Sequence, residues 1–132
     1  MTLIYPACFY PFEDGRGFTV DFPDLPGCVT EGRTLSEALE LAVDAASGWI
    51  LSSLEEGEAI PKATDYKDVH LESEDGIINM VVLDIDAYSE KYSNKAVRTN
   101  VTIPAWLKTA AEANHINFSK VLQDALISKV RQ

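Results

Sequence analysis

The chain has 132 residues, 46% of them hydrophobic, and a formal net charge of −10. This composition is typical of a globular protein and excludes a disordered or collagen-like chain. No apolar run approaches the ~18 residues of a membrane span, and the N-terminus lacks a signal-peptide pattern, so we expect a cytoplasmic protein without a membrane partner.

The charge is distributed unevenly along the chain. Residues 1–95, here called the body, hold 6 Lys and Arg against 19 Asp and Glu; residues 96–132, the tail, hold 5 against 2. The body is therefore acidic and suits a basic protein partner, whereas the tail is basic and suits phosphates. An acidic surface that only keeps the body in solution would have the same composition, and charge alone does not decide between these readings.

The first thirty residues predict three short strands separated by turns. Leu3–Phe12 and Phe18–Phe22 are rich in aromatic and β-branched residues, and an Asp-Gly turn lies between them within residues 13–17. Two prolines and a glycine restrict Pro23–Gly27 to a loop. Cys28–Thr30 is then predicted as the third strand.

A long helix is predicted next. Thr34 followed by Glu37 forms a capping box, which marks a helix N-terminus. Apolar residues then recur at intervals of three and four: Leu35, Ala38, Leu39, Ala42, Ala46, Trp49, Ile50 and Leu54. The spacing predicts one amphipathic helix that ends near Leu54.

The rest of the body predicts two more strands and a connection to the tail. Asp68–Leu71 is strand-like, and Ile77–Ile85 is a nearly continuous apolar run that predicts a strand buried on both faces. Asp86–Asn94 predicts a short helix or an ordered linker. The resulting order β-β-β-α-β-β indicates an α+β fold with one main helix on a sheet.

The tail begins with an alternating segment, Arg98–Ile103, in which Arg98, Asn100 and Thr102 share one face. Pro104 ends it, and two short amphipathic helices follow. A lone strand leaves its backbone groups unpaired, so a second copy of the chain is the simplest partner. Two copies would form a two-stranded antiparallel ribbon over four helices. A solvated sheet face shows the same alternation, but the proline stop and the two helices favour the ribbon.

This pattern resembles the ribbon-helix-helix family of DNA-binding proteins. The resemblance lies in Arg98–Pro104, Trp106–Leu107 and Ile116–Leu122. It implies a swapped-strand dimer whose ribbon enters the major groove of operator DNA, with Arg98, Asn100 and Thr102 reading bases. It also implies two further sets of residues. The start of the second helix would hold a DNA phosphate through Asn117, Phe118, Ser119 and Lys120. The dimer core would comprise Val101, Ile103, Trp106, Leu107, Val121, Leu122 and Leu126.

The body carries a second, longer resemblance. The segment Phe22–Gly32 reads FPDLPGCVTEG and is followed by Thr34, Glu37–Leu39 and Ala42. This pattern is very similar to the signature of HicB-type antitoxins of bacterial toxin–antitoxin systems. Within it, Pro23, Pro26 and Gly27 restrict or release backbone angles, and we expect them to set a rigid turn.

The HicB resemblance implies a division of labour along the chain. Residues 1–90 would form a truncated RNase H-like domain that covers the active site of a HicA-type toxin, an RNase that cleaves mRNA. Residues 91–95 would be a linker, and residues 96–132 would dimerise and repress the operon. The homodimer could extend to a tetramer through body contacts. The alternative is a stand-alone ribbon-helix-helix repressor whose N-terminal domain binds a ligand or another protein.

We expect no enzymatic activity, metal or other cofactor. An RNase H-like fold raises the question of a carboxylate cluster that holds metal ions. The available acids show no strong spacing pattern: Asp21, Asp24, Glu31, Asp84 and Asp86. His70, in a predicted strand, and His115, in the turn between the tail helices, each stand alone. Cys8 and Cys28 are expected to be buried apolar side chains without a disulfide.

Overall fold

The computed structural model describes residues 1–93 and 96–130. Thr2–Ser93 forms one compact unit within the body, and the tail belongs to a second unit. The first unit ends with a helix, Ile85–Tyr92, and so continues past residue 90, the boundary predicted from sequence. The predicted linker 91–95 and the predicted end of the tail include residues 94, 95, 131 and 132, which lie outside the described residues.

The body contains a four-stranded antiparallel sheet. Its strands are β1 (Thr2–Pro11), β2 (Phe18–Asp21), β3 (Val29–Gly32) and β4 (Ile77–Asp84), in the spatial order β3-β2-β1-β4. The register between β1 and β4 is continuous from Thr2↔Asp84 to Phe9↔Ile77. The predicted α+β class is therefore confirmed.

Helix α1 (Leu35–Glu55) covers one face of this sheet. Its buried stripe includes Ala38, Ala42, Ala46 and Ile50, and the three alanines allow the helix to approach the strands closely. The predicted cap is confirmed, since the Glu37 amide donates to Thr34 Oγ1 at 3.0 Å.

The contact between β3 and α1 leaves no space for a side chain at Gly32. A Cβ added there would lie 2.4 Å from the backbone nitrogen of Ala38 and 2.7 Å from its Cα. This glycine therefore sets how closely the helix approaches the end of β3.

The strand predicted at Asp68–Leu71, in the second half of the body, is wrong. Asp68–Leu71 is not a strand, and His70 consequently lies in a loop after a single 3-10 turn, Tyr66–Asp68. The turn forms because the Asp65 side chain accepts from the Lys67 amide at 3.0 Å. The neighbouring Glu72 amide donates to the side-chain hydroxyl of Tyr10 and not to the backbone of a strand.

Strand β4 is not buried on both faces, as its apolar run had predicted. Burial alternates, with Val81 and Leu83 facing the core and Met80 and Val82 exposed. The reason is the position of β4 at the edge of a sheet that α1 covers on that one face only. A continuous apolar run was therefore a misleading signal.

The body ends with helix α2 (Ile85–Tyr92), which confirms the helical alternative for this segment. The Asp84 side chain caps α2 by accepting from the Ala87 amide at 3.1 Å. The rings of Tyr88 and Tyr92, one turn apart, have their centroids 4.6 Å apart. None of the described helices is long and apolar enough to cross a membrane.

The tail contains two helices, α3 (Ala105–Ala113) and α4 (Phe118–Val130). His115 lies in the turn between them, as predicted, and has a φ of 55°. The predicted strand Arg98–Ile103 has no regular secondary structure in the single chain. A strand needs a neighbour to bond with, and the described part of one chain supplies none for this segment.

Candidate functional site

The loop between β2 and β3 is a tight turn built around a buried leucine. Leu25 is inaccessible to solvent, its amide donates to the carbonyl of Phe22 at 3.1 Å, and its carbonyl accepts from the amide of Cys28 at 2.9 Å. Gly27 adopts a φ of 79°, which an L side chain would resist. The loop residues thus act through the backbone, in keeping with the rigid turn predicted for Pro23, Pro26 and Gly27.

Asp24 fastens this loop to the segment that follows α1. Its carboxylate accepts from the Thr64 amide at 2.9 Å and from the Thr64 hydroxyl at 2.5 Å. The Tyr5 hydroxyl donates to the Pro61 carbonyl of the same segment. One of the acids considered for metal binding is therefore occupied in holding two loops together.

An open groove lies between this loop and α1. The indole of Trp49 donates to the Pro26 carbonyl at 3.0 Å and fixes the distance between the two walls. The groove has a volume of about 490 Å³ and carries Glu56 and Glu58 among its lining residues. The full lining is Gly27, Cys28, Val29, Ala45, Gly48, Trp49, Ser52, Ser53, Glu56 and Glu58.

Sequence reasoning missed this groove because its walls are far apart in the chain. The signal that was available is Trp49, an aromatic residue on the predicted buried stripe of α1. Trp49 is half-buried, and an indole N–H in such a position usually has an acceptor, which here is the carbonyl of Pro26.

The two thiols offer no reactive group. Cys8 and Cys28 are free and buried, as predicted. Burial, and to a smaller extent the charge of Asp21, raises the pKa of Cys28 to about 11. Burial also raises the pKa of Cys8. Both side chains are therefore protonated at neutral pH, and a thiol is a poor nucleophile compared with its thiolate.

The structure shows no metal-binding cluster of the other acids that were considered, within the described residues. Asp21 is partly buried, and desolvation followed by the charge of Glu72 raises its pKa. Asp84 is used as the cap of α2. Within residues 1–93 and 96–130, no group of three or more His, Cys, Asp or Glu side chains is placed to hold a metal ion.

In the tail, the three predicted base-reading residues are exposed. Arg98, Asn100 and Thr102 lie in the segment before α3 that forms no strand in the single chain. They are separated by two residues each, so an extended backbone would place them on one face. Their pairing with a second chain as a ribbon stays a prediction.

The start of α4 has the features of a capped helix N-terminus. Asn117 Oδ1 accepts from the Lys120 amide at 3.1 Å, which makes Asn117 the cap of this helix. The Lys120 ammonium lies 3.7 Å from the Asp124 carboxylate, with both side chains largely exposed. The predicted phosphate site at Asn117, Phe118, Ser119 and Lys120 is thus a positively polarised helix end, and its occupancy by phosphate stays a prediction.

No residue of α3 or α4 is buried in the single chain. Of the predicted dimer core, Leu122 is half-buried. The others are exposed large apolar side chains: Val101, Ile103, Trp106, Leu107, Val121 and Leu126. Large apolar side chains that are exposed singly in one chain become an interaction surface where they adjoin. The tail in isolation therefore lacks a core of its own.

Comparison with known proteins identifies the family. The sequence model of the HicB-like antitoxins of bacterial toxin–antitoxin systems matches residues 5–125. The chain belongs to the HicB-like antitoxin family. This match spans both the loop with its groove and most of the tail, so both elements belong to one family architecture.

This HicB-like chain is also similar to individual proteins and solved structures. An uncharacterised 14.9 kDa protein of Haemophilus phage HP1 is 35% identical over 105 residues, or 80% of this chain and 76% of the relative. A solved chain from a toxin–antitoxin complex of Streptococcus pneumoniae superimposes with a TM-score of 0.62 at 28% identity and covers 98% of this chain and 99% of its own length. A chain of the HicA3–HicB3 toxin–antitoxin complex gives a TM-score of 0.52 at 30% identity, over 62% of this chain and 99% of its own length.

Proposed function

We propose that this HicB-like protein neutralises a HicA-type toxin through its body and represses its own operon through its tail. In this proposal the protein is cytoplasmic, is not an enzyme and needs no cofactor. The body is a truncated RNase H-like domain, and the tail of two copies forms one ribbon-helix-helix domain. Family membership and the likeness to chains of solved toxin–antitoxin complexes support the antitoxin role.

The observation that supports repression by the tail is that a single tail has neither a core nor a strand partner. No residue of its helices is fully buried, and the polar segment in front of them lacks a strand partner within the described chain. Pairing with a second copy of the chain would supply both a core for the helices and a strand partner for the segment. The apolar side chains then form a shared core, and the two segments bond to each other as a ribbon.

A ribbon of this kind would present three polar residues from each copy on its outer face. Arg binds guanine and Asn binds adenine through two hydrogen bonds each, and Thr adapts to either base. The capped N-terminus of α4 and the net positive tail then suit the DNA backbone. The acidic body is unsuited to DNA, so we assign this contact to the tail alone.

For the toxin we assign the groove beside Trp49. A toxin that binds RNA is expected to be basic, and the groove carries Glu56 and Glu58 in a body of strong negative charge. The groove is open and is braced by the Trp49–Pro26 hydrogen bond, so it needs no rearrangement to accept a protein side chain or loop.

Two serines of α1 provide a matched test of this assignment. Ser52 is exposed and lines the groove, whereas Ser36 is exposed at the other end of the helix. The full-length protein would be co-expressed with the toxin encoded beside its gene, and cell survival and co-purification would be measured. We expect Ser52→Lys to lose protection and Ser36→Lys to retain it.

Other outcomes separate the two roles. If Ser52→Lys protects cells as well as Ser36→Lys, the toxin binds elsewhere on the body. If no toxin is encoded beside the gene and operator binding persists, the chain is a stand-alone repressor. Removal of the tail should abolish operator binding and leave some toxin binding, and loss of both would contradict the division of labour.

A further inference from the structure

The C-terminal end of α1 borders the groove and carries only negative charge. The unbonded carbonyl groups of a helix give its C-terminus a partial negative charge, which proteins commonly balance with Lys, Arg or His. Helix α1 has no basic residue in its last turn. Instead Glu55 ends the helix, and Glu56 and Glu58 follow it and line the groove. This arrangement is unfavourable within one chain, so a cation from another molecule would stabilise it.

A glycine turn fixes the backbone at the two groove glutamates. Gly57 has a φ of 75°, and its amide donates to the Leu54 carbonyl at 3.1 Å. The Glu58 amide donates to the Ser53 carbonyl at 2.9 Å. These two bonds form the Schellman pattern that closes many helices. The backbone at Glu56 and Glu58 is therefore set before a partner binds.

The segment that continues from Glu58 is fastened to the opposite wall of the groove. The Pro61 carbonyl accepts from the Tyr5 hydroxyl. Thr64 donates to Asp24 from both its amide and its hydroxyl. Since Asp24 belongs to the loop that forms that wall, these bonds hold the two walls in one arrangement. A preorganised site loses less conformational entropy when it binds a ligand.

The groove offers hydrogen-bond acceptors and negative charge. Among the described residues that line it, none has a basic or an amide side chain. The carboxylates of Glu56 and Glu58 only accept, and the Ser52 hydroxyl can accept as well. The indole N–H of Trp49 is already donated to the Pro26 carbonyl. The lining thus suits a cation with several donors and gives an anion no charge to bind.

Trp49 adds an aromatic ring to these acceptors. Its N–H is occupied, so the ring itself is what the residue offers to a ligand in the groove. An arginine guanidinium stacks on aromatic rings and donates five N–H groups in one plane, whereas a lysine ammonium is a compact and strongly hydrated charge. Carboxylates accept paired bonds from guanidinium. The combination of ring and carboxylates therefore favours arginine over lysine.

We propose that the groove is a receptor for one arginine side chain of a basic partner protein. The guanidinium stacks on Trp49 and donates to Glu56 and Glu58. The volume of about 490 Å³ lies within the range of small-ligand sites and suits one side chain better than a whole helix. The inference rests on the proposed function for the identity of the partner as the toxin, but not for the chemistry of the groove.

Titration of the full-length chain with Nα-acetyl-arginine amide, followed by NMR of the indole N–H signals, tests the receptor. Trp49 reports the groove, and Trp106, 71% exposed in the tail, is the internal reference. Nα-acetyl-lysine amide is the matched ligand. The test variant carries Glu56→Gln and Glu58→Gln. The control carries Glu40→Gln and Glu90→Gln, which remove the same charge from exposed positions outside the groove.

We expect the arginine derivative to shift the Trp49 signal and to reach half-saturation at a clearly lower concentration than the lysine derivative. The test variant should bind the arginine derivative about tenfold more weakly, since it loses hydrogen bonds between charged groups, and the control should bind like wild type. A Trp49 signal that does not move overturns the receptor. Equal binding of the two derivatives, or unchanged binding by the test variant, overturns the arginine assignment.

The survival test with Ser52→Lys reports the toxin separately. Loss of protection in that variant, without arginine binding to wild type, leaves the toxin on the groove and overturns the arginine receptor. Arginine binding as expected, with protection retained by Ser52→Lys, supports the receptor and contradicts the assignment of the toxin to it.

Discussion

Val121→Ala should weaken association of the tails, and the exposed fraction of Val121 gives the size of the loss in association free energy. Val121 lies on the apolar stripe of α4 and is 55% exposed in the single chain. Removing two methyl groups costs about 1.6 kcal/mol if both were fully transferred from water, at about 0.8 kcal/mol each. Scaled by the exposed fraction, which is what a second copy can cover, the loss is roughly 0.9 kcal/mol for each chain.

The dimer contains this residue twice, so the expected loss is about 2 kcal/mol, and any cavity left behind would increase it. This corresponds to an increase of about 30-fold in the dimer dissociation constant. Sedimentation equilibrium of the full-length chain would measure it. The matched control is Gln123→Ala, an exposed position on another side of the same helix.

We expect the control to associate like its parent and Val121→Ala to associate more weakly. Equal dissociation constants for the two variants would show that α4 does not use its apolar stripe for pairing. A parent chain that stays monomeric at every concentration would refute the reasoning altogether, because the exposed apolar side chains would then have no partner copy.

Three further outcomes are expected. Asn100→Ala should weaken operator binding by about 1–3 kcal/mol, the usual worth of one base contact, and a mobility shift with unchanged affinity would remove Asn100 from the reading face. Gly32→Ala should lower the free energy of unfolding by about 1–3 kcal/mol, because its Cβ would meet the backbone of Ala38; chemical denaturation that matches wild type would contradict this close approach. The raised pKa of Cys28 predicts stability that is complete below pH 9.0, its ordinary pKa, and is lost as pH rises through about 11, so Cys28→Ser should flatten that part of the stability profile.

Local chemistry made much of the body predictable. The hydroxyl of Thr34, three residues before Glu37, marked the start of α1, and the cap is present as expected. Alternation and turn residues located the first three strands to within two residues at either end. These signals act between near neighbours in the chain and so do not depend on the tertiary structure.

The errors came from features that depend on the rest of the fold. The apolar run in β4 indicated burial on both faces, but whether a strand lies at the centre or the edge of a sheet is set by its neighbours. Asp68–Leu71 alternates like a strand, yet the chain there is held by Asp65 and Tyr10. The groove was missed for a similar reason, since its walls meet only after α1 packs on the sheet.

The predicted site residues in the tail illustrate a different limit. Arg98, Asn100 and Thr102 are exposed in the single chain, which is compatible with a reading face. Their arrangement as a ribbon depends on bonds to a second chain, and a periodic sequence specifies which side chains share a face without supplying the partner. The interaction between copies is therefore the property on which the functional account depends.

Amide hydrogen exchange across Arg98–Ile103 in the full-length protein tests that interaction most directly. In an antiparallel pair every second residue exchanges both backbone bonds with its partner. We predict that alternate amides of this segment are protected at high protein concentration and lose protection on dilution below the dimer dissociation constant. Exchange at the rate of an unstructured chain at every concentration would contradict the account.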